Sequence, residues 1–171
     1  MSAKQTFASI LAEHSELERL FDKHQRALLS KDLEAAVATL KTFENELGRH
    51  LSIEDQVLLP LYAAKGGEVE GGTLAIFHAE HRKLQEMAAS LARVTAALES
   101  ASDLLGAILQ LLDQEALFKG LFSHHAQREE NLLFPRLEAC TTAAERKRVI
   151  PKDIASFGCV RKHECTKNLE L

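Results

Sequence analysis

The sequence has few of the residues that mark several common protein classes. Its 171 residues include no tryptophan, one tyrosine, three prolines and three cysteines. The cysteines, at 140, 159 and 165, are odd in number and fall late in the chain, which is not typical of a disulfide framework. No stretch approaches the roughly 18 apolar residues of a membrane-spanning helix. The first residues also lack the apolar run of a secretory signal, so we expect a cytoplasmic protein.

The charge of the chain is nearly balanced. There are 21 basic and 25 acidic residues, for a formal net charge of −4. This charge disfavours a broad nucleic-acid surface and a basic membrane patch, so neither partner is expected. A hydrophobic content of 46% in 171 residues fits one globular domain with a sizeable core.

Apolar residues recur mostly in steps of three and four, which is typical of amphipathic helices. The pattern predicts one helix over about 7–28, a second beginning at Leu33, a third from Thr73 to about Leu98, and a fourth from Asp103 to roughly Ala139. A glycine-rich loop at 66–72 separates the two halves, and the other connections are short. We therefore predict an all-α, up-down-up-down antiparallel four-helix bundle over 1–140. We expect residues 141–171 to form a short helical or irregular extension that packs on the bundle or trails from it, with a helical turn at 143–149.

The two halves of the chain repeat one pattern. His50 and His125 are each followed by glutamate at +4, an acid at +5, apolar residues at +7 to +9 and proline at +10. A shorter Glu-His-x-x-Leu signature begins at Glu13 in the first helix and at Glu80 in the third.

The agreement between the halves carries more information than any single match. Acids occupy 25 of 171 positions, so roughly 15% of histidines have an acid four residues later by chance. About one such match is expected among the eight histidines, and His14 with Glu18 is a third instance. Two copies that agree at five further positions are not explained by composition.

Helical spacing gives the repeat a chemical meaning. Residues four apart lie on one helix face, so His50 with Glu54, and His125 with Glu129, point into the bundle together. Burying two unpaired carboxylates would cost many kcal/mol, and a cation removes that cost. Imidazole with carboxylate suits iron, manganese or zinc, and the cores of helical bundles hold such sites. Each histidine taken singly can instead be a hydrogen-bonded core residue.

The order His, His-x3-Glu, His, His-x3-Glu resembles the hemerythrin-like (HHE cation-binding) domain family over about residues 7–138. The resemblance implies a non-haem di-iron centre in a four-helix bundle. It implies terminal ligands at His14, His50, His81 and His125, and bridging carboxylates at Glu54 and Glu129. The cofactors would then be two iron ions, with zinc or manganese as alternatives.

One position departs from the oxygen-carrying members of that family, which have two histidines four apart on the third helix. Phe77 and Gln85 flank His81 at that distance. His78, three residues before His81, reaches the same face and is our candidate fifth histidine ligand. The alternative is a place for His78 around the ligands or at the surface.

We do not expect the remaining polar residues to bind metal. We expect His24 and Glu18 on solvated faces and His124 at the rim. Glu13 and Glu80 are expected to point outward, and Asp55 and Glu130 to lie at the surface or between helices. Pro60 and Pro135 are expected to end or kink their helices. The tail from Cys159 to Cys165 is interpreted as flexible, since its spacing fits no zinc pattern.

Three functions agree with these features. The first is a di-iron protein that binds or senses oxygen, peroxide or nitric oxide, in oxidative or nitrosative stress or iron homeostasis; sensing would need a separate protein partner. The second is an enzyme that turns over peroxide or nitric oxide, or a donor of iron for cluster repair. The cluster-repair members of the family carry a cysteine-bearing N-terminal segment that this chain lacks. The third is a metal-free helical interaction module. The patterns favour the first, which is not an enzyme.

Overall fold

A computed structural model describes residues 7–149 of the chain and is all-α, with no β-strand in that range. This confirms the predicted fold class. The helices are α1 (Ala8–Leu29), α2 (Leu33–Ile53), α3 (Leu59–Leu61), α4 (Leu74–Ala97), α5 (Leu104–Arg128), α6 (Phe134–Cys140) and α7 (Ala143–Val149).

Side-chain caps fix where three of the long helices begin. The Asp32 carboxylate accepts a hydrogen bond from the backbone of Ala35, and Asp103 accepts one from Gly106. The Thr73 hydroxyl caps α4 in the same way, as the sequence predicts. Each cap satisfies a backbone N–H that has no partner within its own helix.

The four long helices pack in a ring. Helix α1 packs on α2, α2 on α4, α4 on α5, and α5 contacts α1. The helices are amphipathic, so this arrangement lets each one bury its apolar face against two neighbours.

The core consists of two apolar clusters with a polar layer between them. The larger cluster contains the aromatic group of Phe21, Phe43 and Phe118, whose ring centroids lie 5.0–5.6 Å apart. The smaller cluster contains Tyr62 and Phe77. Along each of the four long helical stretches, the histidine of the polar layer, His14, His50, His81 or His125, lies between residues of one cluster and residues of the other. The histidines are therefore shielded from water on both sides.

Neither proline of the repeat ends its helix. A π-helical turn at Glu54–Leu58 precedes Pro60, a second one at Glu129–Leu133 precedes Pro135, and helical structure continues beyond both. Proline lacks the N–H that an α-helix needs and crowds the carbonyl four residues earlier. A widened turn just before it relieves both problems, and each of these turns starts at a glutamate of the repeat.

The C-terminal extension is described only in part. The helix predicted at 143–149 is confirmed as α7, and an ion pair between Lys65 and Glu145 ties it to the bundle. The tail from Cys159 to Cys165 lies outside the described residues. Within 7–149, none of the helices combines the length and the apolar content needed to cross a bilayer.

The core predicts a contrast between two leucines of α5. Leu111 is fully buried, whereas 57% of Leu109 is exposed. We expect Leu111→Ala to lower the free energy of unfolding by about 2–5 kcal/mol, because it leaves a cavity. Leu109→Ala should change it by less than about 0.5 kcal/mol. Urea unfolding followed by circular dichroism measures both, and equal losses would contradict this packing.

Candidate metal centre

Six buried side chains from the four long helical stretches converge in the polar layer. They are His14 on α1, His50 on α2, His81 on α4, His125 on α5, and the two glutamates that open the π-helical turns, Glu54 and Glu129. These are the six residues that the repeat singled out as candidate ligands.

The six form two overlapping groups. His14 and His50 meet Glu54 and Glu129 in what we call the first half-site, and His81 and His125 meet the same two glutamates in the second half-site. In each group the potential ligand atoms all lie within 4.8 Å of one another. Both carboxylates are shared, which is the arrangement that two bridged cations require.

The distances place nitrogen and oxygen atoms around two common points. In the first half-site, the Nε2 atom of His14 lies 3.0 Å from Nε2 of His50 and 3.1 Å from Oε2 of Glu129. In the second, the Nε2 atoms of His81 and His125 lie 3.5 Å and 3.7 Å from Oε2 of Glu54. Ligands of a typical ion stand about 2.0–2.2 Å from it, so neighbouring ligands are separated by distances of this order.

Three of the four imidazoles are oriented from outside by a carboxylate. The Nδ1–H groups of His50 and His125 donate to Glu13 at 2.9 Å and to Glu80 at 3.2 Å. His81 donates from Nδ1 to Asp55 at 2.8 Å. A neutral imidazole with its proton on Nδ1 has its lone pair on Nε2, and these Nε2 atoms face the centre. This tautomer is the one that binds a metal ion.

Two arginines hold the outer carboxylates. Arg49 donates to Glu13 at 2.9 Å, and Arg128 donates to Glu80 at 3.0 Å. Burial raises the pKa of each glutamate, but the hydrogen bonds from histidine and arginine outweigh burial, so both pKa values fall below their ordinary value. Both glutamates therefore stay ionised and keep accepting from the imidazoles.

The inner atoms lack hydrogen-bond partners within the described part of the chain. They are both carboxylate oxygens of Glu54 and of Glu129, and the Nε2 atoms of His81 and His125. Unpaired buried polar atoms are rare because each costs free energy. Lone pairs of imidazole and carboxylate cannot satisfy one another, but a cation accepts all of them. The donor set therefore fits a pair of metal ions.

The cluster also attracts positive charge strongly. Burial lowers the pKa of His50, but attraction to Glu54 and the hydrogen bond to Glu13 raise it to about 10. Burial likewise lowers the pKa of His125, and the charge of Glu129 raises it to about 10. Burial raises the pKa of Glu54, but the positive charge of His50 leaves it well below its ordinary value.

Comparison with protein families identifies the same pattern. The sequence model of the hemerythrin HHE cation-binding domain matches residues 5–114 and 72–154. The chain belongs to this family. Searches of curated proteins and of solved structures gave no match. The two overlapping matches agree with the repeat of the HHE pattern in the two halves of the chain.

His78 is the one candidate ligand of this HHE domain that the structure does not bring to the cluster. Its side chain is 43% exposed, and its Nδ1 contacts Asp55 at 3.0 Å rather than either glutamate of the centre. His78 lies three residues before His81, and it faces the π-helical turn that follows α2. It thus occupies the alternative place considered for it, beside the cluster.

The expectation that Glu13 and Glu80 point outward was wrong. Both turn inward because the imidazoles of His50 and His125 offer them a donor. A signal was present in the sequence, since a glutamate directly precedes the histidine in both Glu-His-x-x-Leu copies. Asp55 does lie between helices, as expected, and Glu130 is exposed. Glu18 and His124 are also exposed.

The expectation that His24 is solvated was also wrong. His24 is fully buried, with Nδ1 at 2.9 Å from the carbonyl oxygen of Ala36 and Nε2 at 2.8 Å from Glu115. Its position continues the apolar stripe of Leu17, Phe21 and Leu28, a signal that the sequence contained. It takes no part in either half-site.

The shared carboxylates predict that one substitution affects both ions. Glu129→Gln replaces a bridging oxygen with an amide, so metal content should fall from about two ions per chain to one or fewer. Glu130→Gln is the matched control. Glu130 is the exposed neighbour of Glu129, so this substitution should leave metal content unchanged. Elemental analysis of both purified variants decides the matter. Full metal content in Glu129→Gln would contradict the bridging role.

Removing an outer carboxylate should weaken metal binding less than removing one of the shared carboxylates. Glu80→Ala frees the ring of His125, so metal affinity should fall about 10–100-fold, the usual effect of removing such a partner. Glu86→Ala, an exposed glutamate on the same helix, serves as the control. Competition with a chelator of known affinity measures both variants. Equal affinities would show that Glu80 does not support the ligand.

Proposed function

We propose that this HHE domain holds two iron ions and uses them to bind or sense a small ligand such as oxygen, peroxide or nitric oxide. The observation that carries the proposal is the set of unpartnered lone pairs in the polar layer, at Glu54, Glu129, His81 and His125. Family membership supports cation binding in general, and the imidazole-carboxylate donor set is suited to iron, with manganese and zinc as alternatives.

In this proposal each side chain has a definite task. His14 and His50 hold one ion, His81 and His125 hold the other, and Glu54 and Glu129 bridge them. Such a pair of ions would supply redox chemistry, in which electrons shift between metal and bound ligand. Glu13, Glu80 and Asp55 fix the ring orientation of three histidines. The apolar clusters on both sides keep water out.

A cavity lies one aromatic side chain away from the first half-site. Its volume is about 470 Å³, and it is lined by residues of α1, α2 and α5 that include Leu17, Phe43, Phe118 and Phe122. The ring of Phe122 meets that of His14 edge-on, with centroids 5.8 Å apart. The cavity therefore ends against a side chain that borders the centre.

The up-down-up-down order of the helices and a cytoplasmic location belong to the same proposal. Short connections such as the one between α1 and α2 favour antiparallel neighbours. The scarcity of cysteine supports a reducing compartment.

Metal analysis with an aerobic visible spectrum tests the proposal. Protein isolated from iron-replete cells should contain about two irons per chain and show charge-transfer bands. Removing the ions with a chelator should lower the melting temperature, since a ligand bound only to the folded state stabilises it. Colourless, iron-free protein whose stability does not respond to a chelator would contradict the proposal and favour the metal-free module.

Stopped-flow mixing then separates ligand binding from turnover. Reduced protein is mixed with oxygen, peroxide or nitric oxide in separate experiments. Binding predicts a spectral change that reverses when the ligand is removed. Continuous consumption of peroxide or nitric oxide would instead favour the enzymatic alternative.

A further inference from the structure

The two halves of the centre are not equivalent in the contacts that surround them. In the repeat, Asp55 follows Glu54 and Glu130 follows Glu129. Asp55 reaches across to α4 and accepts from Nδ1 of His81 at 2.8 Å. Glu130 is exposed and makes no hydrogen bond within residues 7–149, so its repeat-equivalent partner, His14, receives no such support.

The polar contacts of His14 are all made by its Nε2 atom. Its Nε2 atom lies near His50 and Glu129, whereas no carboxylate meets its Nδ1 atom in the described part of the chain. His14 is also the most exposed of the four histidines, at 6% compared with 0–1% for the others. An imidazole without an outer acceptor is less basic and must lose more rotational freedom when it binds an ion.

In the second half-site, both imidazoles have an outer carboxylate. Both His81 and His125 donate to an outer carboxylate, and His78 donates to Asp55 at 3.0 Å, which holds that carboxylate in place. His50 in the first half-site and His125 in the second have equivalent surroundings and do not distinguish the halves. Each donates to a glutamate that also accepts a hydrogen bond from an arginine.

The spacing of the ligand atoms does not rank the two half-sites. Contacts of 3.0–3.1 Å in the first and 3.5–3.7 Å in the second both fall below the roughly 4 Å that separates opposite ligands of one ion. The difference therefore lies in the outer contacts of His14 and His81.

We propose that the second half-site, His81 with His125, binds its ion more tightly than the first, and that Asp55 is the positioning residue that makes the difference. The first half-site then fills last and exchanges its ion most readily. This inference rests on the proposed function, because it requires that both half-sites hold metal.

Single-site variants test the inference without interference between two ions. Two cations that share carboxylates repel each other, so stepwise binding alone proves nothing. His14→Ala leaves the second half-site, and His81→Ala leaves the first. Each chelator-treated variant is titrated with Zn²⁺, a redox-inert probe, by calorimetry or by chelator competition. Circular dichroism checks that every variant is folded.

The expected result is that His14→Ala binds Zn²⁺ about 10–100-fold more tightly than His81→Ala. Adding Asp55→Ala to the His14→Ala protein should abolish this advantage, whereas adding it to the His81→Ala protein should change nothing. Glu130→Ala in either background is the matched control and should have no effect. Asp55→Asn, which keeps the shape of the side chain, should give an intermediate loss and replaces Asp55→Ala if that variant does not fold.

Several results would overturn the inference while leaving the proposed function intact. Equal affinities of the two single-site variants would do so, as would an equal effect of the Asp55 substitution in both backgrounds. Failure of the unsubstituted protein to bind Zn²⁺, iron or manganese at all is a different outcome, because it would contradict the proposed function itself.

Discussion

The structure depends on one constraint, which is the presence of carboxylates and imidazole lone pairs in a layer that water cannot reach. Glu54 and Glu129 are fully buried, and their oxygens have no hydrogen-bond partner in residues 7–149. The apolar clusters above and below make this layer costly unless positive charge enters it. The convergence of four helices, the π-helical turns and the outer hydrogen bonds all serve to gather these groups around shared charge.

The outer carboxylates determine how the centre can work. By accepting from Nδ1, Glu13, Glu80 and Asp55 orient three imidazole rings so that their Nε2 atoms face the centre. The arginines beside the two glutamates keep them ionised. The repeat supplies this device twice, at Glu13 and at Glu80. The third outer carboxylate, Asp55, is not repeated in the same way, because its equivalent Glu130 is exposed and does not contact His14. The two halves of the centre therefore have different surroundings.

Much of this arrangement could be predicted from the sequence because helical periodicity and the repeat act locally. Spacing of four put His50 with Glu54 and His125 with Glu129, and the cap at Thr73 was predicted from residue type. The roles of Glu13, Glu80 and His24 were not predicted, because each depends on a donor or acceptor from another helix. A periodic pattern gives the direction of a side chain on its own helix, but it does not give the partner that it meets. The π-helical turns were missed because proline signals disruption without specifying its form.

Anomalous diffraction at the iron edge, on crystals of protein freshly isolated from iron-replete cells, tests the central claim most directly. The account predicts two separate peaks between Glu54 and Glu129, one beside His14 and His50 and the other beside His81 and His125. Crystals with no metal peak in this layer, in which imidazolium groups donate hydrogen bonds to both carboxylates, would contradict it.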